Sequence, residues 1–353
     1  MKINPHFVTV DEVHAPSDQA AYSGWGPRGA DEKDVLDFEA RFSDACYAEA
    51  PQPFGSEETT DERPNNESYQ KWVQFQKDRG RYEGSNDLTL LDEFCLGKDI
   101  AWLPQIIGSC VLSNTFRAWV IRLLYQMFIL GKAEEFIGRN EFGVNNLSFY
   151  GPFTYGLARR KANMRRGDGL YCSPMAWALA QGVVPCDNQT LRRITSSNGV
   201  GGDRDYPEPQ SKSFYRAMGN WKYLDELSPF MQTPVDQYQK INNGDELWAF
   251  LESGKPGYVC SSEAIHKIGE HKDGFPIHAR NPRDSWAHNM AWHGNLVASD
   301  GERFFRQSNR SWGKKHIYNR KFNEVDKRLR SGRLDCRIIG NIQALKSNPI
   351  TIV

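Results

Sequence analysis

"PQIIGSCVLSNTFRAW", residues 104–119, places Gln105 and Cys110 directly before a long apolar run. From Cys110 onward, apolar residues recur at spacings of three and four, which predicts a helix with one stripe facing the core. The stripe consists of Leu112, Phe116, Trp119, Val120, Leu123, Leu124, Met127 and Phe128. A cysteine at a helix N-terminus lies beside free backbone N–H groups and the positive end of the helix dipole, which both stabilise a thiolate. Cys110 is therefore either a reactive nucleophile or one more small buried apolar residue.

Further helices are indicated on both sides of this one. One is predicted at residues 69–78, and another near 245–252. A third is framed by Ser173 as N-cap, Pro174 in the first turn and Gly182 just past its end. The first two-thirds of the chain therefore has a helical character.

The character of the sequence changes after residue 255. Short segments rich in β-branched and aromatic residues follow, separated by Gly, Asp and Asn. They lie at residues 256–262, 288–298, 303–309 and 334–341. Helices followed by strands predict an α+β protein with two lobes, a helical lobe at about 100–255 and a β-rich lobe at about 256–345.

The overall composition excludes several classes of protein. The 44 basic and 44 acidic side chains balance to a formal charge of zero, so no net charge favours nucleic acid or an anionic membrane as partner. The first sixteen residues lack the apolar core of a signal peptide. The most apolar stretch, residues 118–131, contains Arg122 and Gln126 and is too short to span a bilayer. We expect a soluble, cytoplasmic protein.

The seven cysteines form an odd set without any CxxC pair. This spacing disfavours a zinc ribbon or a disulfide scaffold and favours a reducing compartment. Cys172, Cys186 and Cys260 are predicted to pack in the core. The histidines of residues 265–278 have no cysteine or carboxylate pair at ligand spacing beside them, so neither a metal nor another cofactor is predicted.

An acidic segment precedes the helical region. Residues 31–100 carry 18 acidic and 8 basic side chains, a net charge of −10, which leaves about +10 for the rest of the chain. Residues 50–68 have the composition of an exposed linker. The sequence therefore predicts an N-terminal arm, residues 1–87, on a body of residues 88–353. Aromatic residues in the arm favour docking, either over the body or on a partner such as a second copy, whereas a solvated tail is the alternative.

Three separated segments carry the chemistry in the order Cys, His, Asn. The first is GSC at 108–110, the second is SWAHNMAWHG at 285–294 with His288 at the start of a predicted strand, and the third is FRQSNRSWG at 305–313. Together with GDGLYCSPMAWALAQGVVP at 167–185, this order and context resemble the papain-like cysteine peptidases. The resemblance covers residues 100–340 in patches, and it implies a papain-like two-lobed fold.

The resemblance implies a catalytic triad. Cys110 would attack a carbonyl as a thiolate, and His288 would pair with it and protonate the leaving amine. Asn309 would hold the imidazole in the useful tautomer. The side-chain amide of Gln105 and the backbone N–H of Cys110 would form the oxyanion hole. The resemblance also implies that Trp312 shields the Asn–His hydrogen bond and that Asp168 and Gly169 line the substrate cleft.

The sequence departs from the family pattern at several positions. Gln105 precedes Cys110 by five positions where six is usual, and Val111 replaces an aromatic residue. Arg310 separates the asparagine from Ser-Trp-Gly, and a β-bulge is one way to absorb that extra residue. The cysteine-to-histidine interval is 178 residues, longer than the roughly 130–150 usual for papain-type enzymes. His293 in a predicted turn is a competing base.

Two functions remain open at this point. The first is a thiol hydrolase that cleaves peptide or isopeptide bonds in a peptide or protein substrate. The second is an inactive papain-like body used in binding or assembly. The segment IGSC at 107–110 is also similar to papain-like proteins encoded by bacteriophages. This similarity implies a virion component as one form of the second function.

Overall fold

A computed structural model describes residues 8–9, 66–97, 100–101, 110–133, 149–164, 169–185, 223–232, 235, 238–309 and 316–343 of the chain. Within these residues, every helix is too short or too polar to cross a membrane. The helices are α1 (Glu67–Asp78), α2 (Leu91–Leu96), α3 (Cys110–Leu124), α4 (Gly151–Lys161), α5 (Cys172–Gln181), α6 (Tyr223–Leu227), α7 (Gly244–Glu252) and α8 (Phe322–Arg330). A π-helical turn, Tyr125–Ile129, continues α3. Single 3-10 turns lie at Leu88–Leu90 and Ser228–Phe230.

The strands form one large sheet and a two-residue pair. The strands are β1 (Val8–Thr9), β2 (Ile100–Ala101), β3 (Tyr238–Ile241), β4 (Gly257–Glu270), β5 (Pro276–Val297), β6 (Arg303–Ser308), β7 (Ile317–Lys321) and β8 (Asp335–Ile339). The sheet has the order β3-β8-β4-β5-β6-β7, and β1 pairs with β2. Neighbours are antiparallel, and β5 also makes one parallel pairing with β7. The α+β class is therefore confirmed, with helices preceding most of the strands.

Of four hydrophobic clusters among the described residues, the two largest lie on the helical side of the sheet and between the sheet and helices α7 and α8. The first gathers α3 with side chains of α1, α4 and α5, and β4 contributes Tyr258 and Cys260 to it. The second lies between the sheet and helices α7 and α8, with Trp248, Trp292 and Phe305 at its centre. Helix α3 joins the two parts because it packs against α2, α4 and α5 as well as β4, β5 and β8.

Helix α3 begins at Cys110 as the spacing predicts, but it is buried all round and not along one stripe only. All 15 of its residues are buried. Its charged side chains find partners inside: Arg117 pairs with Asp92, and Arg122 donates to the carbonyls of Ser253 and Gly254 at 3.2 and 3.1 Å. Because these groups are paired, the helix can lie between two layers.

Helix α5 differs from its prediction at the start and agrees at the end. Ser173 is not the N-cap, because the helix begins at Cys172, two residues earlier than predicted, with Tyr171 as the N-cap and no side-chain cap. Gly182 ends the helix with a φ of 137°. A Cβ there would lie 2.9 Å from the carbonyl oxygen of Gln232, so this close approach of the backbone requires glycine.

The sequence disfavoured a disulfide scaffold, but the structure contains a disulfide. Cys172, the first residue of α5, forms a disulfide with Cys260 on β4, with Cα atoms 6.1 Å apart. Both residues are buried, as expected. The bond joins the helical part to the sheet and removes the cysteine-based argument for a reducing compartment. Cys186 lies outside the described residues.

The last part of the predicted arm packs on the body. Asn66 caps α1 by accepting from the backbone N–H of Tyr69 at 2.7 Å. Trp72 is fully buried and donates to Asn86 Oδ1 at 2.9 Å. Asn86 in turn exchanges backbone hydrogen bonds with Asn295 of β5, and buried Asp87 forms an ion pair with Arg306 in which Oδ1 and Nε are 2.8 Å apart. Residues 66–87 therefore contribute to the same packing as the body, while residues 1–65 are described only at Val8 and Thr9.

This packing predicts different outcomes for two N-terminal deletions. Removing residues 1–87 deletes the buried Trp72 and the bonds of Asn86 and Asp87, and loss of a buried tryptophan alone costs about 3–5 kcal/mol. We expect this variant to lose cooperative unfolding. A variant beginning at Asn66 keeps every one of these contacts and serves as the matched control. Thermal unfolding followed by circular dichroism measures both, and equal melting temperatures would contradict this account.

Candidate active site

Cys110 is the first residue of α3 and is fully buried. The first N–H groups of a helix have no partner within the helix, so a negative charge on this sulfur is favoured by position. Gln105, the predicted oxyanion-hole donor, lies outside the described residues. The structure thus places the candidate nucleophile at the helix start that the sequence predicted.

Asn114 connects the turn of Cys110 to strand β5. Its side-chain nitrogen donates to the carbonyl of Cys110 at 3.0 Å and to the carbonyl of Asn289 at 2.8 Å. Asn289 directly follows His288 in the chain, and His288 is also fully buried. One amide group therefore holds together the two backbone segments that carry the candidate nucleophile and the candidate base.

Asn309 lies one residue beyond β6, beside the same part of β5. Ala291 is paired with Ser308, so one further step in this register sets Asn309 opposite Met290. Alternation puts Met290 and His288 on one face of β5, which makes His288 and Asn309 diagonal neighbours, typically about 7–8 Å apart between Cα atoms. The backbone N–H of Asn309 donates to the carbonyl of His316 at 2.9 Å, which extends the pairing of β6 with β7. Topology thus brings the second and third predicted triad residues to one face.

Tyr318 on β7 is a neighbour of Asn309 that sequence reasoning missed. Burial raises the pKa of its phenol to about 12, and the nearby side chain of Asn309 offsets part of that rise. Burial also lowers the pKa of His316. At neutral pH the side chains of Tyr318 and His316 are therefore uncharged. Neither one adds a charge beside Asn309 that would attract or repel an imidazolium at His288.

His293, the competing base, is engaged elsewhere. Its Nδ1 lies 2.8 Å from the hydroxyl of Ser308. Successive residues of a strand point to opposite faces, so Ser308 lies on the other face from Asn309. Ala291 pairs with Ser308, so Ser308 shares its face with Asn289, whose side chain contacts the disulfide of α5. His293 therefore lies on the helical side of β5, opposite to the face of His288, Met290 and Asn309, and it stays a competing base.

Of the remaining predicted site residues, the structure describes Gly169. Gly169 has a φ of 89°, and its carbonyl accepts a hydrogen bond from buried Arg159. Asp168, Trp312 and the inserted Arg310 lie outside the described residues. Their predicted roles stay predictions.

The disulfide reaches the immediate surroundings of the candidate base. The side-chain nitrogen of Asn289 lies 3.2 Å from the sulfur of Cys172 and 3.3 Å from that of Cys260. Asn289 is thus held at its carbonyl by Asn114 and at its side chain by the two sulfurs. The sequence carried no signal for this arrangement, because the two cysteines are 88 residues apart.

The predicted absence of a metal stays a prediction. Over the part of the chain that is described, no group of three or more His, Cys, Asp or Glu residues is arranged to hold a metal ion. His271 instead stacks on Phe275 with ring centroids 4.8 Å apart, and its Nε2 lies 3.2 Å from Asp300. It stabilises the turn between β4 and β5.

Comparison with known proteins gives distant likenesses only. No model of a known protein family and no curated protein matches the sequence. Two crystal structures of the proform of Amb a 11, a cysteine protease and major ragweed pollen allergen, are similar at 15% identity. One alignment covers 49% of this chain and 46% of that chain with a TM-score of 0.27. The other covers 92% and 90% with a TM-score of 0.35.

A third likeness is to digestive procathepsin L 3 of the Tenebrio molitor larval midgut. The identity is 10%, the coverage 78% of this chain and 99% of that chain, and the TM-score 0.29. In the first Amb a 11 alignment this chain spans about half of the matched protein. At these identities and TM-scores, the likenesses assign neither a family nor an activity to this chain.

Proposed function

We propose that the chain is a papain-like thiol hydrolase that cleaves peptide or isopeptide bonds through Cys110, His288 and Asn309. The observation that carries the proposal is the amide of Asn114, which binds the carbonyls of both Cys110 and Asn289. It brings the start of a helix, where a thiolate is stabilised, next to the strand that carries a buried histidine. The placement of Asn309 on the same face as His288 adds the third member.

The chemistry follows from these positions. The Cys110 thiolate attacks the carbonyl carbon, and the oxyanion is held by the Cys110 N–H and the predicted amide of Gln105. The C–N bond breaks as the imidazolium of His288 gives its proton to the amine, which leaves a thioester on Cys110. His288 then takes a proton from water as the water attacks the thioester. The acid is released and the thiolate and imidazolium are restored.

Asn309 and Tyr318 act on the orientation of the histidine. In the proposed site the carboxamide of Asn309 accepts from the imidazole and fixes its tautomer. The neutral phenol of Tyr318 lies beside that carboxamide on the side of β7 and would help to orient it. Trp312 retains its predicted role as a cover of this contact.

Access to the site requires a change in the chain. Cys110, His288 and Asn309 are each 0% exposed. A substrate can reach the sulfur only after a covering segment moves or is removed. We assign this covering role to the predicted acidic arm, now restricted to residues 1–65, because residues 66–87 belong to the packing of the body. An arm that instead binds a partner or a second copy would leave the reactivity of Cys110 unchanged on deletion.

The same burial favours a second candidate function, an inactive body used in assembly. A site that never opens would keep its histidine and asparagine as packed core residues. A virion role has no support beyond the resemblance of the IGSC opening. The two functions differ in the reactivity of one sulfur.

Selective alkylation tests the proposed function. We expect iodoacetamide near pH 6 to label Cys110 much faster than Cys95 or Cys336, because burial raises the pKa of the Cys95 and Cys336 thiols. Cys172 and Cys260 are protected by their disulfide. Mass spectrometry of briefly labelled native protein, as the full chain and from Asn66, gives the rates. His288→Ala should remove the fast reaction, and slow labelling of Cys110 in both forms would exclude the hydrolase.

A further inference from the structure

Asn114 is an unusual residue for its position. It lies one turn after Cys110 in α3 and is fully buried. Asparagine is a poor former of helix interiors, because its side chain competes for backbone hydrogen bonds. In a buried helix its amide must also be paired, since an unpaired polar group loses its bonds to water. Its presence is therefore explained by what its amide binds.

The amide nitrogen of Asn114 has two hydrogens and two carbonyl partners. The bond to Cys110, 3.0 Å long, stays within the first turn of α3. The bond to Asn289, 2.8 Å long, crosses to β5. A hydroxyl has one hydrogen to donate and a carboxylate has none, so neither serine nor aspartate makes both bonds.

The second bond sets the position of the strand at the candidate base. The carbonyl of Asn289 belongs to the peptide unit with Met290. The Cα atoms of Asn289 and His288 are about 3.8 Å apart, so a shift of this carbonyl reaches His288 through the Cα atom of Asn289. Shifting the carbonyl of Asn289 away from α3 also shifts His288 relative to Cys110. We propose that Asn114 is a positioning residue that fixes the separation of Cys110 and His288 on which a thiolate–imidazolium pair depends. The proposal rests on the proposed function, since it presumes that pair.

A matched control exists further along the same helical segment. Gln126 is nearly fully buried in the π-helical turn that continues α3. Its amide donates to the carbonyl of Ile342 at 3.0 Å and accepts from the N–H of Ile342 at 2.8 Å. It thus makes two long-range bonds, as Asn114 makes two bonds, but it lies roughly 24 Å from Cys110 along the helix axis at 1.5 Å per residue.

The measured quantity must distinguish positioning from a general loss of stability. We use the ratio of the Cys110 alkylation rate at pH 6 to that at pH 9, because a change in access to the sulfur affects both rates and cancels in the ratio. A thiolate already formed at pH 6 gives a ratio within about threefold of unity. A thiol with the usual reactivity gives a ratio lower by roughly two orders of magnitude.

The experiment compares wild type, Asn114→Ala, Asn114→Ser and Gln126→Ala as full chains with iodoacetamide, with melting temperatures recorded in parallel. We expect the ratio to fall at least tenfold in both Asn114 variants and to stay within threefold of wild type in Gln126→Ala. Alanine is the better helix former, so a fall cannot come from a weakened α3. If Asn114→Ala fails to fold, Asn114→Ser carries the test, because its hydroxyl can still bond to the carbonyl of Cys110.

Three outcomes overturn the proposal. A ratio in the Asn114 variants equal to that of wild type shows that the bridge does not position the pair. An equal fall in Gln126→Ala shows that the effect is general destabilisation. A low ratio in the wild type itself excludes the thiolate–imidazolium pair and so the proposed function as well, which distinguishes that failure from the first two.

Discussion

Replacing Cys110 with alanine is expected to abolish hydrolysis of peptide substrates while leaving the melting temperature nearly unchanged. Removal of a catalytic nucleophile costs on the order of 10³–10⁶ in turnover, because the covalent route is lost and only binding and polarisation remain. The loss of one sulfur atom affects the fold little, since α3 retains its other buried contacts. Cleavage of a library of quenched fluorescent peptides, by the full chain and by the variant from Asn66, measures the activity.

Cys95→Ala provides the control for this experiment. Cys95 lies in α2 and has a thiol whose pKa burial raises, so it has no role in the proposed chemistry. Its variant should keep the activity of wild type. Hydrolysis that persists in Cys110→Ala would move the nucleophile elsewhere and refute the triad.

The second large effect is expected from the disulfide. Cys172→Ala, Cys260→Ala or both should lower the free energy of unfolding by about 4–5 kcal/mol, because the bond closes a loop of 88 residues and restricts the unfolded chain. Urea unfolding of wild type and variants measures this, with Cys95→Ala again as a control. The double variant should lose no more than either single variant, since each alone breaks the same bond.

A reductant tests the same disulfide without a mutation. In dithiothreitol, the wild type should unfold at the same urea midpoint as the variants. The urea midpoints of the variants should not change when dithiothreitol is added. A wild-type midpoint that does not change on reduction would contradict the disulfide. Because Asn289 contacts both sulfurs, any accompanying change in Cys110 reactivity would show how far the bond influences the site.

Local patterns predicted those elements whose signals lie within a few residues. The spacing of apolar residues placed α3, and the composition of short segments placed β4, β6 and β8. Strand β5 was predicted only from residue 288, because its first half is polar and only partly buried and pairs with the equally polar end of β4. Strands β3 and β7 lie at the edges of the sheet and have polar sequences, so they gave no apolar run to detect.

Features that depend on distant partners were not predictable. Arg117 and Arg122 lie outside the predicted apolar stripe of α3, and their buried partners were not predicted. The partners come from α2 and from the turn after α7. The disulfide was missed for the same reason. In each case the residue type was visible, but the residue opposite it was set by tertiary packing.

The candidate site was predicted in part. Cys110, His288 and Asn309 were singled out by their order and local context, and the fold places each on the kind of element expected. Asn114, Asn289 and Tyr318 were missed because each acts through a contact with another segment. An asparagine near the start of the predicted helix was the one available signal, because a buried asparagine needs a partner for its amide.

The most direct measurement is the distance between the sulfur of Cys110 and the nearer ring nitrogen of His288 in a crystal structure of the variant that begins at Asn66. A thiolate–imidazolium pair predicts about 4 Å or less, with the carboxamide of Asn309 at the other ring nitrogen. A side chain packed between Cys110 and His288, with the histidine turned into the core, would contradict the hydrolase and leave an assembly module.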